Sequence, residues 1–260
     1  MNIVVLIKQV PDTWSERKLA GSDHTLDRGS ADTVLDEINE RAVEEALKIK
    51  EAGDGEVTVV TMGPDRATDA IRKALSMGAD KAVHLSDQRL HGTCAVQTAK
   101  VLAKVIGTLG DVDLIIAGNE ATDGTVGAVP AMVAEVLGLP DLTHARKVTV
   151  AGGTVTVERE TDDAITVLKA DLPAVVSVNE KINDPRYPSF KGIMAAKKKP
   201  VSTLSLGDVG IAPSEVGLTG ATSTVIESAP RPPREAGQVF TDEGDGGVEI
   251  AQYLIRQKLI

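Results

Sequence analysis

Aromatic residues are scarce: one Trp, two Tyr and two Phe in 260 positions. A base-stacking platform for single-stranded nucleic acid needs more of them. Cysteine is nearly absent. Cys94 stands alone, which excludes an internal disulfide framework and a cysteine-rich metal centre. The four histidines, His24, His84, His91 and His144, lack metal-ligand spacing, so no metal site is expected. Basic residues are in deficit, with 28 Lys and Arg against 38 Asp and Glu, a formal net charge of −10. Proteins that grip phosphate backbones carry a clustered basic face, so nucleic acid is not an expected partner. No apolar run approaches the length of a bilayer span, and Met1 leads into a strand-like segment instead of a signal peptide. The expectation is a cytoplasmic protein with no direct membrane insertion.

What remains is an ordinary globular mixture, 42% hydrophobic and 25% charged. The core must come from Ala, Val, Leu and Ile. Asn2–Lys8 reads as a buried N-terminal strand, followed by a helical stripe at Leu35, Ile38, Ala42, Ala46 and Ile49. Glu56–Met62, Lys81–Leu85 and Val112–Ala117 are further strands. Ala67, Ala70, Ile71, Ala74 and Leu75 stripe a second helix, and Ala95, Ala99, Leu102 and Ile106 a third. A glycine-rich turn then leads into a helix over Pro130–Leu137. Strand and helix alternating, with unbroken apolar strands, predict an α/β fold whose mostly parallel sheet is covered by helices.

After Pro140 the period changes to two. Lys147–Val150, Thr154–Arg159 and Ile165–Lys169, joined by Gly152-Gly153 and Asp162-Asp163, predict an antiparallel hairpin layer. Ala174–Val178 returns to the sheet. From Gly207 to Gly247 the chain is rich in Gly, Pro, Ser, Thr and acids, and it buries little surface by itself. Val248–Leu259 has helical spacing. The expected organisation is a nucleotide-binding domain over 1–206 and an extended C-terminal arm with a terminal helix over 207–260.

Three segments carry candidate chemistry. Ala117–Pro130 leaves the carboxyl end of the most apolar strand and enters a helix, the position where open α/β sheets bind ligands. Gly118, Gly124 and Gly127 let the backbone expose amides, and the helix N-terminus beyond favours an anion. The loop is neither GxGxxG nor GxxxxGK[ST], and it holds no lysine, which favours nucleotide binding over hydrolysis; a plain loop is the alternative. Asn183–Lys199 holds Tyr187 and Phe190 beside Pro185 and Pro188. It is either a stiff docking loop, with Ile193 and Met194, or a minor core cluster. Lys197–Lys199 reads as a solvated face. Glu158, Glu160, Asp162 and Asp163 read as a charged strand edge. Cys94 and Trp14 are expected to be a small buried thiol and a local packing residue. There is no catalytic constellation.

Taken in order, IKQVPDT (Ile7–Thr13), ERAVEEAL (Glu40–Leu47), AIRKALSMGAD (Ala70–Asp80), VDLIIAGNEATDG (Val112–Gly124), VERE (Val157–Glu160), LPAVVSV (Leu172–Val178) and NDPRYPSFKGIMAAKKK resemble the β subunit of electron transfer flavoprotein. The opening is closest to the FixA-like bacterial branch. The resemblance runs from residue 2 to about residue 200 and more weakly beyond. It implies an adenine-nucleotide-hydrolase-like α/β fold and an electron carrier, not an enzyme. It also implies a heterodimer with an α subunit that holds most of the FAD. Electrons would come from flavin-dependent dehydrogenases and pass to a membrane quinone oxidoreductase.

By the same resemblance, an AMP site falls on Leu6, Asp36, Ile38, Asn39 and Met62. Its phosphate loop falls on Ala121, Thr122, Asp123, Gly124, Thr125, Val126, Gly127, Ala128, Val129, Pro130, Ala131 and Met132. Asn183–Lys199 matches the loop that recognises partners, with Phe190 as its anchor. Glu160 matches an acidic residue that meets the flavin domain of the α subunit, and the tail matches an arm that wraps that subunit. Asn119-Glu120 and Asp36–Asn39 depart from the family's usual residues. In electron-bifurcating relatives that share the KQVPDT opening, this site holds a second FAD. A third reading, an adenine-nucleotide sensor or enzyme of the same fold, calls for a glycine-rich loop after the first strand, where KQVPDT stands instead.

Overall fold

In the computed structural model, which describes residues 1–234 and 237–260, the apolar runs become strands and the three-four stripes become helices. The chain proceeds β1 (Asn2–Leu6), β2 (Gln9–Pro11), β3 (Thr33–Leu35), α1 (Glu37–Glu51), β4 (Glu56–Met62), α2 (Thr68–Met77) and β5 (Lys81–Leu85). It continues with α3 (Ala95–Gly107), β6 (Leu114–Gly118), α4 (Val129–Leu137), β7 (Asp141–Ala151), β8 (Thr154–Glu160), β9 (Ile165–Asp171) and β10 (Ala174–Val178). Then come α5 (Phe190–Ala196), β11 (Val201–Leu204), α6 (Gly217–Gly220) and α7 (Gly246–Arg256).

One sheet has the order β11-β5-β4-β1-β6-β10-β7-β8-β9. Neighbours from β11 through β7 are parallel, while β7-β8-β9 is the antiparallel layer. Strands β2 and β3 form a separate antiparallel pair. The unbroken apolar strands hide a period of two. Ile3, Val5, Val57, Val59, Leu114 and Ile116 enter one core cluster with residues of α1 and α2. Val4, Leu6, Val60, Ile115 and Ala117 enter another with residues of α3 and α4. Both faces are covered, as a parallel sheet requires.

Several boundaries differ from expectation. Strand β1 stops at Leu6 because the Lys8 amide leaves the ladder and donates to Asn39 Oδ1 at 2.7 Å. Strand β6 begins at Leu114, and the Asp113 carboxylate before it accepts from the Asn2 amide at 2.7 Å. The short strands β2, β3 and β11 carry too few residues to show a period. The segment after Pro188 contains a helix, α5, where a loop was expected. Ser189 Oγ accepts from the Gly192 amide and starts it. No helix among the described residues is long and apolar enough to cross a membrane.

By its contacts, Met1–Ile226 is one unit and Glu227–Ile260 another. The first includes residues expected in the arm: Val209, Ile211 and Val216 are buried in its second core cluster. The buried Gln97 side chain donates to the carbonyls of Glu215 and Gly217 at 3.1 and 3.2 Å, fixing this return. The second unit is built on α7, where Phe240 meets Tyr253 edge-on at 5.6 Å between ring centroids. Val248 and Ile255 of that helix are exposed.

Helix α5 approaches α2 through a position with no side chain. A Cβ at Gly192 would lie 2.4 Å from the Ser76 carbonyl oxygen, a backbone atom that cannot move aside alone. Gly192→Ala therefore pushes α5 off α2 and should cost about 1–3 kcal/mol, the usual range for overpacking. Urea unfolding of the variant reads this; an unchanged midpoint would show that the two helices are free to separate.

Candidate functional site

The chain winds from β1 outward through β4 to β5, then crosses back so that β6 lies on the other side of β1. This reversal opens a crevice beyond the carboxyl ends of β1 and β6, the topological switch point at which such sheets bind ligands. The residues expected around a nucleotide converge there. Leu6 ends β1, Met62 ends β4, Asp36, Ile38 and Asn39 start α1, and Ala121–Met132 follows β6 into α4. Gly118 allows the approach. A Cβ there would fall 2.6 Å from Asn39 Nδ2 and 3.0 Å from Ile38 Cγ2.

Asp36 joins the two halves of the crevice. Its side chain is buried, and Oδ1 accepts from the amides of Ile38 and Asn39, capping α1. Its Oδ2 accepts from the Thr122 amide at 2.7 Å and the Thr122 hydroxyl at 2.9 Å. One carboxylate thus sets both the helix start and the first turn of the loop. That turn is closed by the amides of Gly124 and Thr125 donating to the Ala121 carbonyl. Thr125 is held at a φ of 47°, a left-handed conformation that a β-branched residue adopts only when its surroundings impose it.

Asp123 brings two cations that sequence reasoning missed. Its side chain is 0% exposed and pairs with Lys8 Nζ at 2.6 Å and Arg28 Nη2 at 2.7 Å, with Arg28 Nε at 3.1 Å. Burial pushes the Asp123 carboxyl up, but Lys8 and then Arg28 outweigh it and hold it below the ordinary carboxylate value. Lys8 and Arg28 thus stand against the two carboxylates that hold this turn, Asp123 and Asp36. Lys8 and Arg28 lie 115 and 95 residues from Asp123, a separation that carries no signal in the sequence.

The arrangement suits an anion attached to a base. No backbone partner within the described residues accepts from the amides of Val126, Gly127 or Ala128. Helix α4 starts at Val129 after Ala128, which offers no side-chain cap, and has Pro130 in its first turn, leaving its N-terminal N–H groups unclaimed by side chains. Asn119 Oδ1 is buried with no hydrogen-bond partner. The free N–H groups fit a nucleotide phosphate, the Asn119 oxygen fits a hydrogen-bond donor of the ligand, and the half-buried Met62 beside Leu6 offers an apolar wall. Among the described residues no cluster of His, Cys, Asp and Glu could hold a metal ion.

The other candidates lie on different elements. Tyr187 is 93% and Phe190 80% exposed, and Ile193 and Met194 are each about half exposed, so they do not form a core cluster. The base beneath them is stiff. Arg186 pairs with Glu44 at 2.7 Å and Glu51 at 2.5 Å, both on α1, while Asn183 donates to the Arg41 carbonyl and to Glu45. Hydrogen bonds to Glu51 and then Glu44 raise the Arg186 pKa above its usual value. Of the expected solvated lysines, Lys199 instead donates to the carbonyls of Leu75 and Ala79. Glu160 is ion-paired with Lys181 at 3.2 Å and Arg146 at 3.4 Å, and Lys181 chiefly holds its carboxyl low. Trp14 is 95% exposed rather than packed, and Cys94 is half-buried at the start of α3.

Asp123→Asn removes the charge while keeping the shape. Charged hydrogen bonds of this kind contribute about 1.5–3 kcal/mol, so the variant should be less stable by about that much at pH 7. A carboxyl held low in the folded state stabilises above its unfolded pKa, about 3.9, and loses that contribution as pH falls through the lower folded value. The gap in urea midpoint between the two proteins should persist to about pH 4 and close below it. A gap independent of pH down to strongly acid solution would show that the charge contributes nothing.

Comparison with known proteins gives the chain its relatives. The model of the electron transfer flavoprotein domain matches residues 23–209. The electron transfer flavoprotein subunit beta of Mycobacterium tuberculosis (strain H37Rv) is 64% identical, over 100% of this chain and 99% of its own length. That of Megasphaera elsdenii is 34% identical over the whole of both chains. The caffeyl-CoA reductase-Etf complex subunit CarD of Acetobacterium woodii is 35% identical, over 98% of this chain and 97% of its own. The chain belongs to the electron transfer flavoprotein β subunits.

Proposed function

We propose that this chain works in the cytoplasm as half of an αβ carrier that takes electrons from flavin-dependent dehydrogenases and delivers them to a membrane quinone oxidoreductase. The observation that carries this reading is the exposed set Tyr187, Phe190, Ile193 and Met194 on a base clamped to α1. A rigid apolar patch loses little entropy on docking, which suits a carrier that must bind and release. The flavin, held mainly by the α subunit, supplies the electron chemistry when bound. This chain supplies position. Glu160, at the end of β8, faces the flavin domain of the α subunit, and the arm with α7 lies along that subunit.

In the crevice we place AMP. Leu6 and Met62 flank the base side, Asp36, Ile38 and Asn39 line the start of α1, and the phosphate meets the amides of Val126 to Ala128 with the N-terminus of α4. AMP there fills and stabilises the fold without redox chemistry. A second FAD in the same crevice is the other reading, supported by the likeness to a subunit of a caffeyl-CoA reductase-Etf complex and by the KQVPDT opening.

Co-expression with the α subunit, denaturation and mass spectrometry of the released nucleotides separate the two. One FAD and one AMP per αβ pair is the expected count. Two FAD without AMP would replace the AMP reading with the second, and no FAD would remove the carrier reading altogether. Docking has its own test: Phe190→Ala should weaken reduction by dehydrogenases with no loss of flavin. A hot-spot truncation of about 2 kcal/mol corresponds to about thirtyfold in affinity. Unchanged reduction kinetics would sink the docking role.

A further inference from the structure

The segment between β2 and β3 is unusual for its length. Residues 12–32 cross the carboxyl end of the sheet, yet none of them is buried. Inside the segment, the amides of Asp12 and Asp27 donate to the carbonyls of Asp32 and Lys18, and Leu19 bridges Leu26. It therefore has a shape of its own but no apolar anchor in either core cluster. A polar cavity of ≈ 360 Å³ lies within it, lined by Ser15, Lys18, Gly29 and Asp32 among others.

Polar pins hold it to the body. Arg28 reaches Asp123 with two N–H groups. The Arg66 guanidinium donates to the Arg28 carbonyl. At the other end of the segment, Asp23 pairs with His91 at 2.7 Å, and Thr25 lies 3.4 Å from the same ring nitrogen. Segments held by hydrogen bonds and ion pairs without buried apolar contacts are the first to open in native proteins.

We propose that residues 12–32 form a lid whose latch is the Arg28–Asp123 pair, and that opening this lid sets the rate at which nucleotide enters and leaves the crevice. The inference rests on the reading of the crevice as a nucleotide site. Arg28 covers the Asp123 side chain, and Asp123 belongs to the turn that Ala121 and Thr122 begin. While the latch is closed, the turn keeps the shape that presents the amides of Val126 to Ala128. When Arg28 leaves, Asp123 loses two of its hydrogen bonds and keeps Lys8 alone, and the turn relaxes with its ligand. Lys8 is a positioning residue from the sheet; Arg28 is the movable one.

A lid differs from a merely local contact in that its distant pin matters too. Asp23→Asn touches nothing in the crevice but loosens the His91 end. The αβ complex, loaded with AMP, is mixed with excess isotope-labelled AMP, and exchange is followed by mass spectrometry. Arg28→Ala should speed exchange by roughly tenfold or more, as expected for loss of a charged hydrogen-bonded pair. Arg28→Lys, which keeps charge without the two-pronged fork, should fall between it and the wild type. Asp23→Asn should also speed exchange. Hydrogen exchange on the same complexes should show residues 12–32 opening together and faster in both variants, with β1 and β6 unchanged. Exchange at the wild-type rate in Arg28→Ala overturns the latch, and acceleration in Arg28→Ala but not in Asp23→Asn overturns the lid. A wild-type complex that takes up no AMP defeats the nucleotide reading instead, and hydrogen exchange then still decides whether residues 12–32 open as one unit.

Discussion

The architecture of the crevice depends on the buried carboxylate of Asp36. Burying a charge is costly unless its hydrogen-bonding capacity is filled. Here four N–H and O–H groups fill it, two from the first turn of α1 and two from Thr122. Hydrogen bonds to an ionised acceptor are shorter and stronger than neutral ones, so this single group ties the start of α1 to the loop after β6. Asn39 adds a third tie by accepting from the Lys8 amide. The crevice is thereby built from two separate loops with one shared joint, and Gly118 leaves the space in which they meet.

Helix α1 then extends the consequence of that joint. Its start is fixed at the crevice, and its acids Glu44 and Glu51 receive the Arg186 guanidinium, which sets the base of the exposed patch. A lysine at 186 would restore the charge but not the fork that engages two carboxylates at once. On the other side of the patch, α5 is seated against α2 through Gly192. Tyr187 and Phe190 thus stand exposed on a base held to α1 by Arg186 and Asn183 and to α2 by Gly192.

The parallel sheet was legible in the sequence because its strands are continuous apolar runs and its helices carry clean stripes. Glu56–Met62, Lys81–Leu85 and Ala174–Val178 coincide with observed strands to the residue. The crevice was legible as a loop, because glycines and a helix start after an apolar strand have a chemical meaning without any knowledge of partners. The clamp on Asp123 was not. Ion pairs between residues 115 and 95 positions apart leave no periodic trace, and the loop itself contains no lysine. Nor was the exposure of Trp14 and Phe190 legible, since an isolated aromatic residue reads the same whether buried or presented. The helix α5 was hidden by its length of seven residues, and the core positions Val209, Ile211 and Val216 by their polar, glycine-rich neighbours.

The distances along α1 bear on how the two surfaces relate. At about 1.5 Å per residue, the fifteen residues of α1 span about 22 Å. Asp36 stands at one end and Glu51 at the other, and sites farther apart than about 10 Å with no shared partner behave additively. The helix fixes both surfaces in one frame, yet nothing in its hydrogen bonding offers a second arrangement that either surface would favour. Coupling between sites requires such a two-state element. Residues 12–32, none of them buried, are linked to Asp123 and His91 and not to Arg186 or Phe190. Whatever loosens it acts on the crevice, while the exposed patch keeps its position. A subunit that holds its nucleotide and presents a docking surface gains from that separation, because each can be strengthened or weakened without disturbing the other.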